Sequence, residues 1–248
     1  MNISRISDKS FVGRALRLPL RLIPPQTVLP ILQGKLRGLK WIAGSSNHGC
    51  WLGSYEYDKQ KAFEKMVAKG GVVFDIGANA GLYTLLASVL VGSQGRVFAF
   101  EPGPRNVRYL KAHLQLNHVS NVNVIEAAVS DRMGEASFDV GANDSMGHLA
   151  DRGMLRVKVV TLDELISARD VAIPSCIKID VEGAEARVLN GAKGLLSNLH
   201  PTVFLATHGK HSRRECCQLL SSLQYELKPI VGRNLEETDE IVAFRPAC

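Results

Sequence analysis

The 248-residue sequence predicts a doubly wound α/β domain: a mostly parallel sheet, covered by helices on both faces, that ends in an antiparallel hairpin. Three observations support it. From residue 71 onward, short β-branched runs alternate with amphipathic helical segments; the runs are apolar almost throughout; and two runs near the C-terminus follow one another with no helix between. Strands buried on both faces read as continuous apolar runs, and parallel neighbours need a long crossover. Consecutive strands joined by a turn pair antiparallel.

In order, the expected strands are "VVFDI" (72–76), "RVFAF" (96–100), "VNVIEAAV" (122–129), "CIKIDV" (176–181) and "TVFLATH" (202–208), with "LYTLLASVL" and "NVRYLKAHLQLN" as helices between the early ones. The stretch between the third and fourth strands is too long for a helical crossover. Its alternating pieces "EASFDV" and "LRVKVV" flank a polar Gly/Asn/Asp/Ser segment, which predicts an inserted antiparallel ribbon with a mobile loop over about 134–160. "TLDE" then forms a capping box, with Thr161 and Glu164 placed to satisfy backbone donors at a helix start. A helix over about 211–223 leads to "YELKPIV" and "EIVAF", the predicted hairpin. Residues 1–70 read as a basic arm and cap on the main domain (71–248), since Pro19, Pro24, Pro25 and Pro30 break any long helix there.

Charge separates the two parts. Residues 1–40 carry eight Lys/Arg against Asp8 alone, a surplus of +7 in a chain whose total is +6, so the body nets −1 and has no general polyanion-binding character. The arm has three readings: docking on the domain, contact with a membrane surface or lipid-linked substrate, and nucleic-acid binding. It lacks the aromatic and basic interleaving that stacks bases, and no nucleic-acid partner is expected. The five cysteines form no CxxC pair and no zinc-like array, which predicts a reducing, cytoplasmic setting, peripheral at the inner membrane surface if the arm binds lipid. No apolar stretch reaches the roughly 18 residues that span a bilayer.

The chemistry starts at "DIGANAG" (75–81), the first strand-to-helix junction. Ligands of open α/β sheets lie beyond the carboxyl ends of the strands, where loop amides and a helix N-terminus meet. Gly77 and Gly81 let the backbone pass close to a ligand, and Asp75 puts a carboxylate at the strand end. The spacing is GxxxG, unlike the GxGxxG of pyrophosphate-binding turns, and a carboxylate here repels phosphate and attracts a cation. Glu101, closing "RVFAFE" 26 residues after Asp75, is placed to accept both hydroxyls of a ribose. A nucleoside with a cationic, unphosphorylated far end meets both requirements. S-adenosylmethionine is such a ligand.

"FDIGANAGLYTLL", "VFAFEP", "KAHLQLN", "AAVSD", "TLDEL" and "IKIDVEGAEARVLNGA", in that order, resemble the FkbM family of S-adenosylmethionine-dependent methyltransferases over roughly residues 70–208, with "DVEGAE" the most specific piece. The resemblance implies a Rossmann-like class I methyltransferase sheet. It makes Asp75, Gly77, Ala78, Asn79 and Gly81 the loop around the methionine portion, with Asp180 beside it, and Glu101 the ribose ligand. Pro102 and Asn106 then border the nucleoside, and Ala127 with Ala128 line the adenine. No acid stands directly at the "AAVS" turn, which leaves Asp131 as the candidate for the adenine amino group.

On the acceptor side, "KIDVEGAE" sets Lys178, Asp180 and Glu182 at the mouth of the fourth strand, and His208 reaches the same edge from the fifth. Asp180 or His208 is the candidate base and Glu182 the residue that orients the acceptor, while Glu182 and Glu185 also suit a helix N-terminus and Lys178 a counter-ion. Asn143, Ser145 and His148 in the insertion, and His48, Trp51, Tyr55 and Glu56 in "SSNHGCWLGSYE", are the candidate substrate contacts, the aromatics equally able to anchor the cap. The expected activity is O-methylation of a small hydroxylated acceptor: a sugar, glycolipid or natural product, an acceptor class implied by the resemblance. No metal is required, although Asp180 and Glu182 could recruit a divalent cation. The alternatives are an RNA or protein methyltransferase and a non-catalytic module that binds the nucleoside.

Overall fold

The structure, a computed structural model, describes residues 19–139, 148–149, 153 and 155–246. The arm's first 18 residues, and Asn143 and Ser145 of the insertion, lie outside them.

The chain enters through a short hairpin, β1 (Val28–Pro30) and β2 (Lys40–Ile42), and two helices, α1 (Gly49–Leu52) and α2 (Tyr57–Met66). Alternation follows: β3 (Val72–Ile76), α3 (Leu82–Val91), β4 (Arg96–Phe100), α4 (Pro104–Leu116) and β5 (Val122–Ile125). Then come β6 (Ala128–Val129), β7 (Gly134–Asp139), β8 (His148–Leu149), β9 (Leu155–Val160) and α5 (Leu162–Ser167). The chain closes with β10 (Cys176–Ile179), α6 (Glu185–Asn190), α7 (Lys193–Leu199), β11 (Thr202–Ala206), α8 (Lys210–Ser222), β12 (Glu226–Pro229) and β13 (Glu240–Phe244).

The central sheet runs in the order β12-β13-β11-β10-β3-β4-β5, with β13 antiparallel to both its neighbours and the inner strands parallel. The α/β architecture and terminal hairpin are those the sequence predicts. Strand order adds a detail: β13, the last strand, inserts beside β11, and β12 takes the edge. An antiparallel strand begins where its parallel neighbours end, so Glu240, the first residue of β13, stands at the same rim as the C-terminal ends of β3, β4, β10 and β11.

The sheet's two faces bury separate apolar clusters. Phe74, Phe98, Phe100, Ile177, Ile179, Val203 and Leu205 pack on one side with residues of α5 to α8. Val73, Val97, Ala99, Cys176 and Phe204 pack on the other with α3, α4 and the cap residues Ile31, Trp41 and Phe63. Apolar on nearly every face, α3 is the helix the cap covers. Phe63 meets Tyr83 and Phe204 edge-on, at 5.5 and 5.1 Å between centroids.

A buried histidine fastens the cap. His113 of α4 stacks on Trp41 with centroids 3.9 Å apart. Its Nε2 accepts the Ile42 N–H (3.0 Å) and its Nδ1 lies 2.8 Å from the Ala80 carbonyl, so the partners assign the proton to Nδ1. Burial pushes the ring down to about 4, only partly offset by the Ala80 carbonyl. Asn117 adds a pair of bonds to the Lys40 backbone, at 2.7 and 2.9 Å.

The insertion forms a second sheet, β6-β9-β7-β8, in which β7 pairs antiparallel with β9 as the alternation predicts. "VNVIEAAV" is not one strand. At Glu126, exposed and paired with Lys111 at 2.5 Å, the chain leaves the central sheet, and β6 pairs parallel with β9. The capping box forms by half. Thr161 Oγ1 accepts the Glu164 N–H at 3.2 Å, but the Glu164 carboxylate accepts from the Thr161 hydroxyl (3.0 Å), because the Thr161 N–H points to Met133 Sδ.

Among the described residues no helix is long and apolar enough to cross a membrane, and Cys50, Cys176, Cys216 and Cys217 are free thiols.

Candidate active site

A cavity of about 280 Å³ lies over the carboxyl ends of the parallel strands, roofed by the cap. Register builds its floor. Asp75 of β3 sits directly opposite Lys178 of β10, and both project to the cap side. Lys178 Nζ lies 3.2 Å from Asp75 Oδ1 and 3.7 Å from Asp180 Oδ2, and Thr84 Oγ1 donates to Asp75 Oδ2 at 2.6 Å. Burial works against the Lys178 charge, yet Asp75, Asp180 and Glu56 hold its ammonium well above the ordinary value.

Two expectations are corrected here. Asp75 is fully buried, engaged by Thr84 and Lys178, and not on the cavity wall. Gly81 does not line the cavity either. A Cβ at Gly81 would meet Leu110 Cδ1 at 2.4 Å, and one at Gly77, where φ is +76°, would meet the Asp180 carbonyl oxygen at 1.9 Å. These glycines make room for neighbouring parts of the protein.

One end of the cavity is largely apolar. Ala127, Ala128, Val129, Pro102 and Phe138 form its wall beside Glu101 and Asn106. The Glu101 carboxylate accepts from the N–H groups of Asn79 (2.7 Å) and Gly103 (2.8 Å) and from Asn106 Nδ2 (3.3 Å). Burial raises its pKa, and those three donors only moderate the shift. Asn106 Oδ1 is buried on this wall with no hydrogen-bond partner among the described residues. Asn79, in the left-handed region at φ +52°, and Ala78 complete the loop over this end. Asp131 does not reach the wall. It is exposed and accepts from Ser130 Oγ at 3.2 Å.

Charge crowds the other end. Lys178, Asp180, Glu182, His208, Glu240, Tyr55, Glu56 and Tyr83 line it together. His208 Nδ1 lies 2.7 Å from Oε1 of the fully buried Glu185, and its Nε2 lies 3.3 Å from Glu182 Oε2 and 3.8 Å from Asp180 Oδ1. The bond to Glu185, with Glu182 and Asp180 nearby, raises the ring to about 9. Although burial disfavours the Asp180 anion, Lys178, Lys59 and His208 hold its pKa below the ordinary value. These shifts favour the imidazolium at His208 and the anion at Asp180 near neutral pH.

His48 and Trp51 do not line the cavity. Trp51 donates its indole N–H to His48 Nδ1 at 3.1 Å and is buried, so the pair is spent on packing within the cap. His148 sits in β8, at the Asp139 register position. The pattern missed several wall or support residues. Lys59 of α2, 4% exposed, reaches Glu240 Oε1 (2.8 Å), Glu56 Oε2 (3.4 Å) and Asp180 Oδ2 (3.7 Å) and ties the cap to two strand ends. Tyr83 donates its hydroxyl to Glu56 at 2.9 Å. Phe138 arrives from the ribbon and Glu240 from the antiparallel strand.

Residues 75–244 match the Methyltransferase FkbM domain. The chain is 28% identical over 153 residues to the hexuronic acid methyltransferase AglP of Haloferax volcanii, covering 60% of this chain and 61% of that one. It is 31% identical over 158 residues to the 31-O-demethyl-FK506 methyltransferase FkbM of Streptomyces tacrolimicus, covering 50% of this chain and 60% of that one. The chain thus spans about three fifths of the length of the curated relatives it matches. Its fold is similar to the crystal structure of a methyltransferase FkbM from Methylobacillus flagellatus, with a TM-score of 0.53 at 16% identity over 80% of this chain and 55% of that one. A second likeness is to the crystal structure of a "putative rRNA-methylase" from Clostridium thermocellum, with a TM-score of 0.50 at 12% identity over 76% and 93% of the two chains. The central sheet is that of the class I S-adenosylmethionine methyltransferases, and the chain belongs to the FkbM methyltransferase family.

Proposed function

We propose that this protein is an S-adenosylmethionine-dependent O-methyltransferase acting on a hydroxyl of a sugar, glycolipid or natural-product scaffold. The observation that carries the reading is a single cavity with two unlike ends. One is an apolar wall with a buried carboxylate and an orphaned amide oxygen, and the other is a rim of carboxylates around His208. Glu101 and Asn106 Oδ1 fit the hydroxyl and amino donors of a nucleoside, Ala127 and Ala128 fit its flat base, and the anionic rim fits a cationic far end.

S-adenosylmethionine, when bound, supplies an electrophilic methyl group, which an acceptor oxygen attacks as the carbon–sulfur bond breaks and its electron pair stays on sulfur. The protein aligns the acceptor and takes its proton. Asp180 Oδ1 holds the hydroxyl, and Glu182 and the imidazolium of His208 orient it. A weak base suffices, because the hydroxyl proton becomes strongly acidic as its oxygen gains a third bond, and Asp180 takes it then. Tyr55, Glu56 and Glu240 line the acceptor's side. Carboxylates outnumber free cations on this rim, which favours a neutral hydroxylated acceptor over an acid. The two named relatives methylate a hexuronic acid and a demethylated FK506, which supports a small-molecule acceptor here.

The test is incubation of the protein with isotopically labelled S-adenosylmethionine and a panel of sugars, glycolipids and macrolides, followed by mass spectrometry. S-adenosylhomocysteine and one labelled methyl on an acceptor oxygen are expected. Tight cofactor binding with no turnover across the panel points instead to a non-catalytic module.

A further inference from the structure

Asp180, Glu182 and His208 each offer one ligand atom, and these atoms lie within 4.8 Å of one another on the cavity wall. Two ligands bound at right angles, about 2.1 Å from one ion, stand about 3 Å apart. The observed distances from His208 Nε2, 3.3 Å to Glu182 and 3.8 Å to Asp180, approach that separation.

The surroundings point the same way. Glu185 accepts at His208 Nδ1 and is itself held by Ser212 Oγ (2.6 Å) and the Gly183 N–H (2.8 Å), so a buried, doubly anchored carboxylate leaves Nε2 as the nitrogen turned to the cavity. A histidine that binds a metal through one nitrogen and gives the other to a carboxylate has this arrangement. The closest approach of Lys59 and of Lys178 to Asp180 is at Oδ2, 3.7 Å in each case, whereas that of His208 is at Oδ1, 3.8 Å. Acids also outnumber lysines here: Glu56, Asp75, Asp180, Glu182, Glu185 and Glu240 against Lys59 and Lys178. The cofactor's single net positive charge does not balance that excess.

We propose that Asp180, Glu182 and His208 form a three-ligand site for a divalent cation of the Mn²⁺ type, whose open positions face the acceptor end of the cavity. Two carboxylate oxygens and one imidazole suit such an ion, and three protein ligands leave room for a substrate oxygen. This rests on the methyltransferase reading and changes three roles in it: His208 gives its Nε2 proton to solvent as the ion binds, and Glu182 and Asp180 become ligands. A hydroxyl bound to the ion loses its proton to solvent before attack, and Asp180 serves as a ligand rather than as the proton acceptor.

The experiment uses the full chain after treatment with chelator and dialysis. Mn²⁺ is titrated with and without S-adenosylmethionine, free ion is read by electron paramagnetic resonance, and cofactor binding is measured calorimetrically in the same samples. One Mn²⁺ per chain is expected, with affinity at least about 10-fold weaker in D180N and in H208Q and about 10-fold weaker in E185Q, whose residue only positions the ring. No stoichiometric Mn²⁺ binding, or binding indifferent to both D180N and H208Q, overturns the proposal; if D180N does not fold, H208Q decides. Cofactor binding by a wild type that takes up no Mn²⁺ sinks the metal site alone, whereas absence of cofactor binding in the wild type sinks the methyltransferase reading.

Discussion

The two ends of the cavity solve opposite problems with the same fold. At the Glu101 end one carboxylate is buried among loop amides and apolar residues, and its three donors come from within 22 positions of it along the chain. At the Asp180 end the charges come from β10, β11, β13 and the cap, and partners stand up to 181 positions apart, as Lys59 and Glu240 do. Local assembly gives a preformed wall, while assembly from distant segments gives a charged rim whose balance depends on the cap being seated. The histidines repeat the contrast. His113, desolvated without a charged partner, is held neutral and serves as a staple, whereas His208, backed by Glu185, is held protonated at the rim.

If the ends divide the work in this way, D180N gives the largest effect. Turnover falls about 10³-fold or more, while the dissociation constant for S-adenosylmethionine changes less than about 5-fold, read by initial rates and calorimetry. Equal losses in rate and affinity would erase the division. G77A comes next, because the added methyl meets the Asp180 carbonyl at 1.9 Å with the backbone at φ +76°, and it joins the two ends. A loss of at least about 3 kcal/mol in chemical denaturation is expected.

The cap supplies a third test. The folded-state pKa of His113 lies at about 4, below its ordinary 6.5. The unfolded chain therefore takes up the proton first, and the histidine's contribution is intact above about pH 6.5 and lost as pH falls to about 4. The full loss is on the order of 3 kcal/mol. H113Q should flatten stability against pH across that window; an unchanged slope means that His113 titrates normally and the staple is weak. The smallest effect is E101Q, about 30-fold in cofactor affinity. Its amide must face a backbone N–H where the carboxylate accepted one, so a stability cost of about 1–2 kcal/mol accompanies it.

What the sequence disclosed follows the same divide. The parallel core, the ribbon and the terminal hairpin were legible because apolar periodicity is local. So was Glu101, whose position at a strand end fixes where its carboxylate goes. Asp75 looked like a ligand group by the same rule, but register with Lys178 is a property of two strands 103 positions apart, and it turned the carboxylate inward. Lys59 sits in "YDKQKAFEKM", which reads as a solvated helix face until the cap docks. Glu240 needed the strand order as well as the hairpin, since only insertion beside β11 brings the start of β13 to the rim. Trp51 and His48 satisfy one another, a pairing that composition alone does not separate from a substrate wall.

The division of labour between the ends is tested most directly by calorimetric titration of S-adenosylmethionine into wild type, E101Q and D180N, with turnover measured on the same preparations. The account predicts that E101Q loses affinity by about 30-fold while D180N binds nearly as wild type and does not turn over. Near-wild-type cofactor binding by E101Q, or a loss of binding in D180N as large as its loss of rate, would contradict it.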